Sequence, residues 1–130
     1  MARLAITIDV PDIARGEAFY CAAWGVTPGR RTDDSFLELD GLGATVCLIA
    51  VEPGTTPAPG AAPRRFERHW CPVHCDIVVD DLDTAVTRAV GAGARCEGGI
   101  REQPFGRIAT LADPFGHGFC LIEESVDART

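Results

Sequence analysis

The chain repeats itself, and an internal repeat restricts its possible folds more than any other feature of the sequence. Residues 5–13 (AITIDVPDI) match residues 74–82 (HCDIVVDDL) at an offset of 69 positions. Residues 40–50 (DGLGATVCLIA) match residues 113–123 (DPFGHGFCLIE) at an offset of 73 positions. Because the two matches occur in the same order, the sequence predicts one structural unit present twice, with loops absorbing the difference between the offsets.

Each copy of the unit reads as one strand, one helix and three further strands. The opening segments alternate apolar and polar residues, as half-buried strands do. Asp12 and Asp81 are predicted to cap a helix in each copy, which Gly25 ends in the first, and Gly91 and Gly93 in the second. The later strand-like runs lie near residues 27–31, 36–39, 45–51, 95–98, 107–111 and 118–123. The predicted fold class is α+β, with two βαβββ modules.

A proline-rich segment joins the two modules. Residues 52–63 hold four of the nine prolines, a composition that favours an extended, solvated linker. We therefore predict a single domain over 1–130, with module 1 at about 1–52, a linker at about 53–66 and module 2 at about 67–126. One module alone would have a marginal core, so the two sheets are expected to pair around a central cavity, within one chain or with a second chain.

Charge and composition exclude several classes of partner. The net charge of −7 is spread without a basic stripe, which argues against nucleic-acid and membrane-surface binding. No stretch approaches 18 apolar residues, and the N-terminus shows no secretion signal, so a cytoplasmic location is expected. In that reducing compartment the six cysteines are predicted to be thiols.

Three motifs carry a family resemblance. They are residues 10–13 (VPDI) followed by Phe19-Tyr20, residues 79–82 (VDDL), and the closing segment 113–123 (DPFGHGFCLIE). Together they resemble the vicinal oxygen chelate superfamily, which includes glyoxalase I, extradiol dioxygenases, fosfomycin-modifying enzymes and the bleomycin-resistance proteins. The resemblance covers nearly the whole chain and implies the glyoxalase/bleomycin-resistance fold, with curved mixed sheets around a cavity. It says little about which activity the chain has.

The resemblance also implies where a metal ion would bind. Carried over through the internal repeat, the family's ligand positions are Ala5 and Ala50 in module 1, and His74 and Glu123 in module 2. Alanine cannot coordinate a cation, whereas imidazole and carboxylate can. Two protein ligands are too few for stable occupancy, so no metal is the favoured expectation, with a divalent metal as the open alternative. Asp9, Asp76 and Glu38 are the nearby acids that could replace a missing ligand.

A mostly apolar pocket is predicted between the sheets. Side-chain parity with an inward Glu123 assigns Phe119 and Leu121 to the cavity and places Val46 and Leu48 opposite them, while Cys47 and Cys120 are expected to face the helices. Arg107 is a weaker candidate for contact with an anionic or carbonyl group. The full predicted ligand-binding set is Phe36, Glu38, Val46, Leu48, Trp70, His74, Phe105, Arg107, Phe119, Leu121 and Glu123.

Two functional hypotheses follow. The first, by resemblance to the bleomycin-resistance branch, is a metal-independent homodimer that sequesters an aromatic natural product or antibiotic for self-protection. The second is a glyoxalase-like lyase, epimerase or other enzyme of the superfamily, in which His74 and Glu123 hold a metal or act as acid and base. The sequence does not identify the ligand.

Overall fold

The computed structural model describes residues 1–125, so residue 126 of the predicted second module lies outside the described residues. The chain forms two compact units, one spanning Met1–Phe66 and the other beginning at Glu67. None of the helices within residues 1–125 is long and apolar enough to cross a membrane. All six cysteines fall in this range and carry free thiols.

The first unit is a four-stranded mixed sheet with one helix. Its elements are β1 (Ala5–Val10), α1 (Ile13–Trp24), β2 (Thr27–Asp33), β3 (Phe36–Asp40) and β4 (Thr45–Ala50). The strand order is β1-β4-β3-β2. β1 runs parallel to β4, and the other neighbours are antiparallel.

The second unit repeats this arrangement. Its elements are β5 (Cys75–Val78), α2 (Leu82–Ala92), β6 (Arg95–Gln103), β7 (Gly106–Ala112) and β8 (Gly118–Glu124), in the order β5-β8-β7-β6. The parallel pair is again the first and last strand of the unit. The prediction of an α+β fold with two βαβββ modules is therefore confirmed.

The helix ends follow the capping residues. Asp12 Oδ1 accepts a hydrogen bond from Arg15 N at 2.9 Å, and Asp81 Oδ1 accepts one from Thr84 N at 3.2 Å. The Thr84 hydrogen bonds hold the pKa of Asp81 below its usual value. Gly25 takes the left-handed conformation that ends α1. Gly91 was expected to help end α2 but lies inside it, and the helix ends at Gly93.

The predicted linker is not extended. Gly54 N donates to Arg64 O at 2.7 Å, and Arg64 N donates to Thr55 O at 2.7 Å, so the segment closes into a loop. The Arg64 side chain then bonds Asp9 of β1, with Nε 2.9 Å from Oδ2. Backbone hydrogen bonds and one ion pair thus hold the proline-rich segment against the first unit.

The core of the first unit lies between its sheet and α1. A Cβ at Gly16 of α1 would lie 2.9 Å from Leu48 Cδ1, so Leu48 points at the helix. Val46 and Ala50 share that face because side chains alternate along β4. The expected cavity-facing orientation of Val46 and Leu48 is therefore wrong. Buried residues of this layer include Val10, Ile13, Phe19, Tyr20, Ala23, Leu37, Leu39, Val46 and Leu48.

In the second unit, too, the core lies between the sheet and the helix. Glu123 Oε1 accepts a hydrogen bond from Leu82 N, the first residue of α2, at 3.1 Å. Because Phe119 and Leu121 alternate with Glu123 on β8, they face α2 as well, and both are buried. The expected cavity-facing orientation of Phe119 and Leu121 is therefore wrong, because Glu123 points toward α2 and not into the cavity. The opposite faces of the two sheets therefore carry Cys47 and Cys120, which were expected to face the helices.

Candidate functional site

The face of the second sheet turned away from α2 is the candidate site, and we call it the open face. It is formed by Asp76, Val78, Ile108, Thr110, Gly118, Cys120 and Ile122. The strand register confirms that these residues are neighbours: Cys120 of β8 pairs with Asp76 of β5 and with Thr110 of β7. Side chains of paired residues leave the sheet on the same side.

A polar cluster lies on the open face beside the start of β5. His74 Nε2 is 3.1 Å from Asp76 Oδ1, and the possible ligand atoms of His74, Asp76 and Cys120 all lie within 4.8 Å of one another. Cys120 is 3% exposed, and its burial, with a smaller effect from the Asp76 carboxylate, raises the pKa of the thiol. Without a metal ion, Cys120 is therefore a protonated thiol beside a His–Asp pair.

This cluster changes the expected ligand set. His74 is retained, but Glu123 is on the helix side, and Asp76 and Cys120 take its place. Imidazole, carboxylate and a deprotonated thiol form a donor set that zinc and related divalent ions accept, so the three residues fit a cation. In the first unit, Ala5 of β1 points away from α1, whereas Ala50 of β4 is on the side that faces α1. The two alanines therefore do not belong to one site.

Trp70 lies over the open face at Gly118. The benzo ring of its indole occupies the space that a side chain at Gly118 would need. The His74 ring lies 4.7 Å from the indole centroid at an interplanar angle of 40°, and the Arg68 guanidinium lies 5.8 Å from it. Trp70 remains 48% exposed. Trp70 and His74, both predicted site residues, are therefore in contact.

The segment that carries Trp70 is tied to the sheet. Arg68 forms a two-point ion pair with Glu97 of β6, with both N–O distances at 2.7 Å. The Arg68 hydrogen bonds keep the pKa of Glu97 below its usual value. His69 N donates to Gly116 O at 3.0 Å, and His69 Nε2 lies 3.4 Å from His117 Nδ1. These contacts hold the segment just before Trp70 against the sheet.

Glu123 and Arg107 form a separate group at the start of α2. Arg107 Nε donates to Glu123 Oε2 and Arg107 Nη2 donates to Asp83 Oδ2, each at 3.0 Å. Hydrogen bonds from Arg107 and from Leu82 N lower the pKa of Glu123, and the same pairing raises the pKa of Arg107. Both residues were expected to contact a ligand, but their polar atoms instead cap a helix and close an ion pair.

We predict that Glu123→Gln removes a pH-dependent part of the stability. The pKa of Glu123 is below its usual value of 4.5, so ionised Glu123 stabilises the fold above that pH and the effect is lost as the pH falls through the lowered pKa. Urea unfolding should show the variant less stable than the wild type at pH 7, with the difference narrowing below about pH 4. Glu124→Gln, at the next position of β8, is the matched control. A constant difference at all pH values would contradict the assigned role.

Other predicted site residues lie apart from this group. Phe36 and Glu38 are in the first unit, where the Arg30 guanidinium lies 5.1 Å from the Phe36 centroid and Arg30 Nη2 donates to Glu38 Oε1 at 2.9 Å. Phe105 lies in the turn that precedes β7, whereas Trp70 covers the strand pair at the other end, where Gly118 faces Ala112. Phe105 and Trp70 therefore lie at opposite ends of the β7–β8 pair and do not line one common surface.

Cys120 is the residue of this cluster that sequence reasoning missed, whereas Asp76 was expected only as an acid that could replace a missing ligand. A signal for Cys120 was present, because the bulky Phe119 and Leu121 occupy the other parity of β8. Had the larger apolar side chains been assigned to the core, Cys120 would have fallen on the open face beside Asp76. The contact of Trp70 with Gly118 had no comparable signal, since residues 67–74 form no helix or strand.

A family comparison agrees with this architecture. Residues 5–122 match the model of a family described as a glyoxalase-like domain. The chain belongs to this glyoxalase-like family. A curated relative, the anthracycline biosynthesis protein DauV of Streptomyces sp. (strain C5), is 32% identical over 123 residues, which cover 91% of this chain and 40% of DauV. The chain thus spans less than half the length of that relative.

Solved structures show the same fold for this glyoxalase-like chain. The genomically encoded fosfomycin resistance protein FosX of Listeria monocytogenes superposes with a TM-score of 0.72 at 16% identity, covering 100% of this chain and 98% of FosX. The antibiotic binding protein TnmS3 of Streptomyces sp. CB03234 gives 0.68 at 22% identity, covering 96% and 97%. The resemblance to the glyoxalase/bleomycin-resistance superfamily is therefore confirmed at the level of the fold.

Proposed function

We propose that the chain binds a planar aromatic small molecule, of natural-product or antibiotic type, on the open face of its second unit and without a metal ion. The observation that carries the proposal is Trp70, which is 48% exposed although its ring packs over Gly118 and lies next to Arg68 and His74. An exposed tryptophan in a fixed position offers a ligand a large, rigid contact area at a low cost in conformational entropy.

Stacking supplies the specificity of such a surface. Aromatic pairs contribute about 0.5–1.5 kcal/mol beyond the burial of their area, and a flat ligand gains this only where a ring is already positioned. Two similar proteins agree with a ligand of natural-product or antibiotic type: one is an antibiotic binding protein, the other an anthracycline biosynthesis protein. We extend these descriptions to this chain as part of the proposal.

Pairing within the polar cluster of the open face supports the metal-independent form of the proposal. The Asp76 carboxylate pairs with His74, and the buried Cys120 thiol keeps its proton because its pKa is raised. A cation would have to displace that proton before the thiolate could bind it. A homodimer, expected from the family resemblance, and a cytoplasmic location, expected from the sequence, complete the proposal.

The second candidate is a metal-dependent lyase or epimerase. It is favoured by the proximity of the ligand atoms of His74, Asp76 and Cys120, which lie within 4.8 Å of one another. These residues would hold the cation, and a bound divalent ion supplies Lewis-acid polarisation of a carbonyl group. Glu123, the ligand expected from the sequence, is engaged by Arg107 and Leu82 N instead.

Titration of chelator-treated protein with anthraquinone-2-sulfonate separates the two candidates. We expect quenching of tryptophan fluorescence and a calorimetric stoichiometry near one per chain, both unchanged by added zinc. The metal content of protein purified without affinity metal should be well below stoichiometric. Stoichiometric metal, or binding of the probe that requires zinc, would favour the enzyme. No response to this probe or to a panel of aromatic antibiotics would refute the binding function.

A further inference from the structure

The backbone conformation at position 118 does not require a glycine. Other glycines of this hairpin, such as Gly106 and Gly116, have positive φ angles of +142° and +91°, and a Cβ there would collide with backbone atoms. At Gly118, φ lies outside the left-handed region, so an L side chain is conformationally allowed. What a Cβ would meet is the benzo ring of Trp70 and, at 3.1 Å, Arg68 Nη2. The side chains of Trp70 and Arg68 therefore occupy the space above Gly118.

The indole has little freedom to move elsewhere. On one side, Arg68 is fixed by its two-point ion pair with Glu97. On another, the His74 ring lies 4.7 Å from the indole centroid. The backbone just before Trp70 is held by the hydrogen bond from His69 N to Gly116 O. A side chain at position 118 would therefore displace the ring from its place over Gly118, because the Arg68 guanidinium and the His74 ring already occupy positions next to it.

We infer that Gly118 is a specificity-determining position: by leaving room for the indole, it sets Trp70 close against the sheet and so presents the exposed side of the ring to flat ligands. This inference rests on the proposed function and names the residue that determines its ligand class. Gly118 acts through Trp70 and is a positioning residue. A ligand with a planar ring system gains contact over the whole exposed ring, whereas a globular one of similar size does not.

The test compares Gly118→Ala with a matched control, Gly91→Ala in α2, where an added Cβ meets nothing within 4 Å. Both proteins are labelled with 5-fluorotryptophan, and the two resonances, from Trp24 and Trp70, are assigned with Trp70→Phe. We expect Gly118→Ala to shift the Trp70 resonance and leave that of Trp24 in place. The affinity for anthraquinone-2-sulfonate should fall about tenfold, while the weak binding of the globular probe 1-adamantanecarboxylate stays the same. Gly91→Ala should change none of these.

A double-mutant cycle separates positioning from a general structural effect. In a Trp70→Ala background, Gly118→Ala should cause no further loss of affinity, because the ring that it displaces is gone. This arm also decides the question if Gly118→Ala alone folds poorly. An additional loss in that background would overturn the inference.

The failure of the inference is distinguishable from failure of the proposed function. An unchanged Trp70 resonance in folded Gly118→Ala would show that the glycine does not set the ring position. A shifted resonance with unchanged affinity for the anthraquinone would show that the ring is not the ligand platform. Either result overturns the inference. If the wild type binds no anthraquinone, the proposed function fails instead, and the fluorine spectrum still decides where Trp70 sits.

Discussion

Replacing Leu48 with alanine is expected to lower the free energy of unfolding by about 2–5 kcal/mol, the range for emptying a buried leucine site. The side chain is 0% exposed and points at Gly16 of α1, beside Val10. Gly16 has no side chain to fill the space that Leu48 leaves, and β4 is fixed between β1 and β3. The cavity should therefore persist. Urea unfolding followed by circular dichroism measures the loss.

The same variant separates a core role from a binding role. Leu48 was expected from the sequence to line the cavity, in which case its truncation would weaken ligand binding more than stability. We expect the reverse: normal affinity for anthraquinone-2-sulfonate in the folded variant. Ile49→Ala, one position along β4 on the other face and only half-buried, is the matched control and should destabilise the first unit less. A small loss of stability with a large loss of affinity would show that Leu48 belongs to the binding surface and not to the core.

The fold was predictable because its signals are local. Period-two alternation in residues 5–10 and 75–79, aspartates at the helix starts and glycines at their ends each specify one element. The repeat then confirms each assignment in the other copy. The closed loop formed by residues 54–64 escaped prediction because it depends on backbone hydrogen bonds and on the pairing of Arg64 with Asp9, which composition does not encode.

The orientation of β8 was not predictable by alternation. Phe119, Cys120, Leu121 and Ile122 are all apolar, so the strand has no polar face to reveal its parity. Glu123 was therefore used to assign the faces, because it occupies a ligand position of the family and was expected to point into the cavity. Its carboxylate instead accepts hydrogen bonds from Leu82 N and Arg107. Because this carboxylate was assigned to the wrong face, four core residues were predicted to line the pocket: Phe119, Leu121, Val46 and Leu48.

Truncating Trp70 to alanine is expected to weaken the binding of anthraquinone-2-sulfonate about 10- to 100-fold. Tryptophans at the centre of a binding surface typically contribute 2 kcal/mol or more, and 2 kcal/mol corresponds to about 30-fold in Kd. The half-exposed ring contributes little to the core, so the melting temperature should stay close to that of the wild type. Calorimetric titration of the two proteins measures the difference. Trp70→Phe, which keeps a smaller ring over Gly118, should have intermediate affinity.

Phe105→Ala is the matched control for Trp70→Ala, because it tests whether any exposed aromatic side chain of the second unit holds the ligand. Phe105 is also an exposed aromatic of the second unit, at 39%, but lies at the far end of β7 from Gly118. If exposed apolar area alone held the ligand, the two truncations would weaken binding comparably. If the open face near Gly118 is the platform, only Trp70→Ala should do so. Equal losses would place the ligand along the whole of β7, and an unchanged affinity of Trp70→Ala would remove the observation on which the binding function depends.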